Sequence, residues 1–209
     1  MKLYSYWRSS AAYRVRIALH FKEIAFQYVP INLLRQEHNS DSYRKINPYG
    51  LVPALQTDDG QVLCQSGAII SYLEQTQPSP ALLPDDPIAR AQTQAWALTI
   101  ACEIHPLNLP SVTTYLKEQL AVDSGATDQW IHNWFSRSFA VLEQQVLAQP
   151  YCQGDSITLA DLYLIPQIYN ALRASHDMNT YPRLLSIYES CNQLTPFSMA
   201  QPGHQPDAA

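Results

Sequence analysis

Residues 47–75 read NPYGLVPALQTDDGQVLCQSGAIISYLEQ, and how this stretch folds decides the architecture of the first half of the chain. Asn47-Pro48-Tyr49-Gly50 is a strong turn signal. Val52–Thr57 and Gln61–Cys64 then flank Asp58-Asp59-Gly60, whose Asp-Gly pair marks a tight hairpin. A helix follows from Ser66 to about Gln75, with Ser66 suited to cap it. The stretch is therefore an antiparallel hairpin closed by a helix. Pro53 sits where a strand begins, the position a residue without an N–H tolerates best. Only ~5–6% of X–Pro bonds are cis, so on the residues alone Pro53 reads as an ordinary trans proline.

Upstream, Lys2–Tyr6 is a short strand. Ser10–Phe21 places Val15, Ala18 and Leu19, with Ala11 a turn earlier, at helical spacing. Phe26–Ile31 is a second strand built on Tyr28 and Val29, and Asp41–Ile46 a weak helix. The order is βαβ, helix, ββ, helix: a parallel half joined to an antiparallel half, as in a thioredoxin-like domain. No CxxC follows the first strand, which argues against thiol–disulfide exchange by the protein itself.

Downstream, TQPSPALLPDDP (residues 76–87) carries four prolines and suits a semi-rigid linker. Beyond it the strand signals vanish. Ile88–Ile104, about Leu107–Leu120, Asp128–Ala148, Thr158–Ala174 and Pro182–Leu194 read as helices. Ile131, Phe135, Phe139 and Leu142 draw one apolar stripe on the third, and Pro166 is expected to kink the fourth. The expected organisation is a thioredoxin-like domain over 1–79, a linker over 80–87 and an all-helical domain over 88–209.

Composition narrows the function. Of 209 residues 46% are hydrophobic and 15% charged, enough for a sizeable core. A net charge of −5 without a basic run argues against gripping nucleic acid or anionic lipid. Cys64, Cys102, Cys152 and Cys191 are far apart and fit free thiols better than a disulfide framework. The start MKLYSYWRSS has no signal-peptide core, and no apolar run approaches a membrane span, so a cytoplasmic protein is expected.

The candidate chemistry is concentrated in four places. Gln65 and Ser66 stand at a helix start, where free N–H groups attract a carboxylate. Were the Val52-Pro53 bond cis, Val52 would turn its backbone towards an extended peptide. Ser9 and Ser10 open the first helix, without the GxSxG elbow or the partners of a hydrolase triad. Thr158-Leu159-Ala160-Asp161 is a capping box and serves folding. The six histidines show no metal-binding spacing.

SSAAYRVRIAL (9–19), NPYGLVPAL, QSGAIISYLEQ, the TLAD box and the terminal QPDAA occur in order and at suitable spacing over nearly the whole chain. Together they resemble the zeta class of glutathione transferases, the family of the maleylacetoacetate isomerases and bacterial maleylpyruvate isomerases. The resemblance implies the two-domain transferase architecture, a homodimer and glutathione as cofactor. It also implies a cis Val52-Pro53 bond, Gln65 and Ser66 on the γ-glutamyl carboxylate, and Val52 paired with the cysteinyl unit. His38, with His105 and Asn108, would reach the glycyl end or line the site, while Ser9 and Ser10 face the sulfur. Arg8 and Arg173 would hold the carboxylates of a small dicarboxylic keto acid.

The implied reaction is cis–trans isomerisation through reversible thiolate addition, with conjugation or dehalogenation of α-halo acids as the broader alternative. A free thiol with pKa ~8.5 is only about 3% ionised at pH 7. A helix start with a hydroxyl donor shifts that balance, and Arg14 and Arg16 add positive potential of unread direction. The family's Ser-Ser-Cys reads Ser9-Ser10-Ala11 here, so no protein thiol stands at that place. The absent cysteine is shared by relatives in the maleylpyruvate branch, whereas His105–Ser111 lacks the paired arginines of that branch; the two clues oppose each other, and the second is weighted towards maleylacetoacetate.

Overall fold

Four short strands form one sheet: β1 (Lys2–Ser5), β2 (Gln27–Pro30), β3 (Ala54–Gln56) and β4 (Val62–Cys64), in the order β2-β1-β3-β4. β1 is parallel to β2 and antiparallel to β3, and β3 and β4 make the hairpin, with Leu55 opposite Leu63. A parallel pair requires a crossover. Helix α1 (Ser10–Phe21) supplies it and buries Ala12, Val15, Ile17, Ala18 and Leu19. A single turn, α2 (Asp41–Arg44), is capped by Ser40, and α3 (Ser66–Thr76) buries Ile69, Ile70 and Leu73. This is the thioredoxin-like order read from the sequence, with shorter strands. β3 starts at Ala54 because Pro53 has no N–H for the ladder.

The computed structural model describes residues 1–208 and divides into two compact units. One comprises Met1–Leu82 together with the stretch that begins at Asn192; the other is Leu83–Cys191. The sequence reading carried the helical domain on to residue 209, so the tail is a correction. Its short helix α9 (Thr195–Ala200) packs on α1. Arg16, fully buried on α1, donates through Nε to the Ala200 carbonyl at 3.0 Å. Lys22 ties the other end of α1 to the start of the Pro-rich stretch. Its buried ammonium donates to the carbonyls of Gln77 (2.7 Å) and Pro80 (2.8 Å) and pairs with Glu74 at 2.7 Å.

The second unit is helical. It contains α4 (Pro87–Leu98), α5 (Pro110–Glu118), α6 (Ser124–Gln145), α7 (Leu159–Arg173) and α8 (Pro182–Asn192), whose last residue lies just past the boundary. The linker ends one residue earlier than expected, because Pro87 occupies the first turn of α4, where its missing N–H costs nothing. Asp86 caps that helix from outside. The expected single helix Ile88–Ile104 is α4 followed by a π-helical stretch, Thr99–Ile104, and a 3-10 turn, His105–Asn108. α6 starts earlier than expected, capped by Asp123. α7 runs through Pro166 as one element.

Phe135, Phe139 and Leu142 are buried, and the Phe135 and Phe139 rings stack at 5.7 Å. His176 joins this aromatic group and meets His132 at 2.8 Å between their Nδ1 atoms. Elsewhere in the unit, the buried Asp161 carboxylate accepts from the N–H groups of Cys152 and Thr158, both at 2.8 Å, and from the Thr158 hydroxyl at 3.0 Å. The capping box therefore reaches beyond its own helix. All four cysteines are free thiols, and among the described residues no helix is long and apolar enough to cross a membrane.

Candidate active site

In the first unit the candidate residues converge on the starts of α1 and α3. Ser9 is the N-cap of α1 and its hydroxyl accepts from the Ala12 N–H at 3.2 Å. That commits its acceptor function to the helix, whose first turn carries no acidic residue. Ser10 is the first helical residue and is largely buried. The positive end of the helix dipole is thus left for an anion from outside. The chain arrives through Tyr6–Ser9, a loop pinned from several sides. The Ser9 N–H donates to the Tyr6 carbonyl at 3.0 Å, and Arg16 donates to the carbonyls of Tyr6 (3.4 Å) and Trp7 (3.0 Å).

Arg14 and Arg16, whose direction the sequence left open, both point inward. Arg14 donates to the Ser66 hydroxyl at 3.4 Å and so links α1 to the first residue of α3. Ahead of Ser66, exposed Gln65 has φ 70° and ψ 121°. A non-glycine residue there costs about 1–3 kcal/mol and persists where surroundings or function hold it. Nothing in the sequence marks this strain, since glutamine is not a turn former.

The approach to β3 is equally fixed. Val52-Pro53 is cis, against the reading of the residues alone and in line with the resemblance. The Leu51 carbonyl accepts from the Tyr43 hydroxyl at 2.6 Å and from Asn47 Nδ2 at 2.7 Å. Neither the N–H nor the C=O of Val52 is engaged by another described residue, as an edge that receives a peptide requires. His38 lies in the 3-10 turn before α2, with Nε2 3.2 Å from Asn39 Nδ2 and Nδ1 buried without a partner. Burial, and then the Arg44 charge, hold its pKa below the ordinary histidine value, so the ring is neutral at pH 7. Arg8 lies over the Trp7 ring at 4.8 Å and donates to the Tyr6 hydroxyl at 3.2 Å, which pre-orients the guanidinium.

In the second unit, His105 and Asn108 bound the 3-10 turn after the π-helical stretch. Trp130 anchors that turn by donating to the Leu107 carbonyl at 2.8 Å. Both polar atoms of the Asn108 amide are buried without a partner. Such a group costs about 1–3 kcal/mol unless something hydrogen-bonds it, which suits a residue that meets a polar ligand. Arg173 is exposed in the last turn of α7 and donates to Asn170 at 2.9 Å.

This arrangement can hold a peptide-like anion: an open backbone edge, a strained amide beside a helix start, a neutral imidazole and a second helix start with hydroxyls. Residues 3–81 match the family model for the glutathione S-transferase N-terminal domain. A maleylacetoacetate isomerase from Pseudomonas aeruginosa is 44% identical over 209 residues, 99% of this chain and 98% of the relative. The holo structure of a maleylpyruvate isomerase, a bacterial glutathione S-transferase of the zeta class, superposes with a TM-score of 0.96 at 40% identity, over all of both chains. A maleylacetoacetate isomerase from Methylobacterium extorquens AM1, solved with malonate and glutathione bound, gives 0.94 at 37% identity, again over all of both chains. The chain belongs to the zeta class of glutathione transferases, the family that includes the maleylacetoacetate and maleylpyruvate isomerases.

Proposed function

We propose that the protein is a glutathione-dependent cis–trans isomerase that converts maleylacetoacetate to fumarylacetoacetate. Its place is aromatic amino acid breakdown in the cytoplasm, as a homodimer. The observation that carries glutathione binding is Gln65, held at φ 70° beside Ser66 at the start of α3. The unengaged backbone of Val52 and the unpartnered Nδ1 of His38 fit the same ligand. Likeness over the full chain to a maleylacetoacetate isomerase supports this substrate, and the comparable likeness to a maleylpyruvate isomerase supports the alternative.

Glutathione supplies a thiolate that adds to the cis double bond and leaves again after rotation, so it is not consumed. The chain's own residues make that thiolate available and aim the substrate. Gln65 and Ser66 take the γ-glutamyl carboxylate and Val52 pairs with the cysteinyl backbone. His38 donates as a neutral ring towards the glycyl end, and Asn108, with its unpartnered amide, is a further candidate contact for the ligand. Ser10 donates to the sulfur at the positive end of α1, while Ser9 holds that end by capping. Lowering the thiol pKa by ~2 units requires about 2.7 kcal/mol of differential stabilisation, within reach of a charge-assisted hydrogen bond plus the helix dipole. Arg8 and Arg173 hold the substrate carboxylates, where a planar guanidinium fixes orientation.

The test is an ultraviolet assay of maleylacetoacetate conversion with and without glutathione, run beside maleylpyruvate and an α-halo acid. Isomerisation that requires glutathione, with the highest kcat/KM for maleylacetoacetate, is expected. A higher kcat/KM for maleylpyruvate moves the protein to that branch. Stable conjugate without isomerisation makes it a broader transferase.

A further inference from the structure

We infer that Asp207, in the tail, is a positioning residue for the thiolate-binding start of α1. The inference rests on the glutathione reading above. Asp207 belongs to the same compact unit as the serines and lies 200 residues from Trp7 in the chain. Its Oδ2 accepts the Trp7 N–H at 3.2 Å, and its Oδ1 accepts the Tyr28 hydroxyl on β2 at 2.6 Å. The carbonyl of the same Trp7 accepts from Arg16 Nη2 at 3.0 Å, and Arg16 Nε donates to Ala200, also in the tail. Both polar ends of Trp7 are thus held by the tail, one directly and one through a buried guanidinium.

Trp7 matters because the site residues come directly after it in the chain. Arg8 rests on its ring, and Ser9 and Ser10 are next, with Ser9 closing the turn onto Tyr6. A loop that must present a hydroxyl within hydrogen-bond reach of a sulfur loses much of its effect if it drifts by a fraction of an ångström. The ionisable group in contact with the carboxylate is Tyr28, which in turn feels the charge of Arg16. Burial, and then its bond to Asp207, hold the Tyr28 hydroxyl protonated far above its ordinary range, so the donor keeps its proton across the working pH. The inferred role of Asp207 is indirect: it acts through Trp7.

The test reads the thiol pKa of bound glutathione by thiolate absorbance across pH, in the full chain and in Asp207→Ala and Tyr28→Phe. Asp207→Ala should raise that pKa by about one unit and lower kcat/KM about tenfold at neutral pH, as one pKa unit is a factor of ten. Tyr28→Phe, which loosens one of the two tethers, should move both in the same direction by less, and it carries the test if Asp207→Ala fails to fold. An unmoved thiol pKa in a folded variant, even with a lower Tm, makes the tail merely structural and overturns the inference. Wild-type protein that leaves the thiol at its free value instead breaks the glutathione reading, and this inference with it.

Discussion

Among the described residues of the first unit the buried charged side chains are three cations on or beside α1: Arg14, Arg16 and Lys22. In the second it is one anion, Asp161. The cations reach far along the chain. Arg16 grips a carbonyl 184 residues away, Lys22 two carbonyls 55 and 58 away, and Arg14 a hydroxyl 52 away. Asp161 binds only groups three and nine residues away. The first unit is closed by long-range contacts to backbone acceptors, the second by a local carboxylate at a helix start. The site hydroxyls lie in the unit closed from a distance, so their placement depends on parts of the chain that look unrelated to them.

Substituting these groups separates the two modes of closure. Asp161→Ala leaves three buried donors without an acceptor, each worth about 1–3 kcal/mol. The expected loss is about 4 kcal/mol in denaturant unfolding, with hydrogen-exchange protection lost first around residues 152–161. Lys22→Met should cost about 3 kcal/mol, since it leaves Glu74 and two carbonyls uncompensated. Its exchange defect should appear near residues 77–82, far from the substitution in sequence. If both variants loosen only their neighbours, the contrast between local and distant closure fails.

Ser10→Ala should lower kcat/KM about 10²-fold, or about 2.7 kcal/mol, while Tm stays within about 2 °C. Wild-type turnover would shift the donor role to Ser9. Arg173→Ala should lower kcat/KM for a dianionic substrate about tenfold and leave folding untouched, as expected for an exposed side chain. An unchanged kcat/KM returns Arg173 to a solvated helix end.

The smallest effect is a pH slope. Burial holds His20, His38 and His176 below the ordinary histidine value; the charges of Arg16, Arg44 and His132 respectively add to it. The unfolded chain takes up these protons near pH 6.5 and the folded chain only at lower pH. Stability is therefore full above about pH 6.5 and declines as pH falls through the folded values. A Tm that falls from pH 7 to 5, with a shallower slope in His176→Leu, is the expected record. Two of these histidines belong to the first unit and one to the second, so the variant also apportions the slope between them.

The same contrast explains what could be read from the chain beforehand. Groups that act on near neighbours were legible: the Asp-Gly hairpin, the serine start of α1 and the Thr158–Asp161 box each declare themselves within a few residues. The two arginines of α1 were visible as charges but not as clamps, because Arg16 binds mainly carbonyls, which every residue carries, and Arg14 a serine hydroxyl 52 residues away. The tail helix α9, of six residues, is too short to show a period. The π-helical stretch Thr99–Ile104 has the composition of an ordinary helix and differs only in its hydrogen bonding. The left-handed Gln65 had no signal at all. Asp207 entered only as one letter of a terminal motif, and its partners Trp7 and Tyr28 emerge only in the fold.

The bond between Asp207 and Trp7 also sets an order in time. A ribosome adds roughly 5–20 residues per second, so the 200 residues between donor and acceptor take roughly 10–40 s to make. Within that interval the strands and α1–α3 can form, but the loop that carries the serines lacks its last tether. A nascent chain can therefore own every residue of the site and still not be the finished catalyst. On the positioning role inferred for Asp207, arrival of the tail and completion of the candidate site coincide.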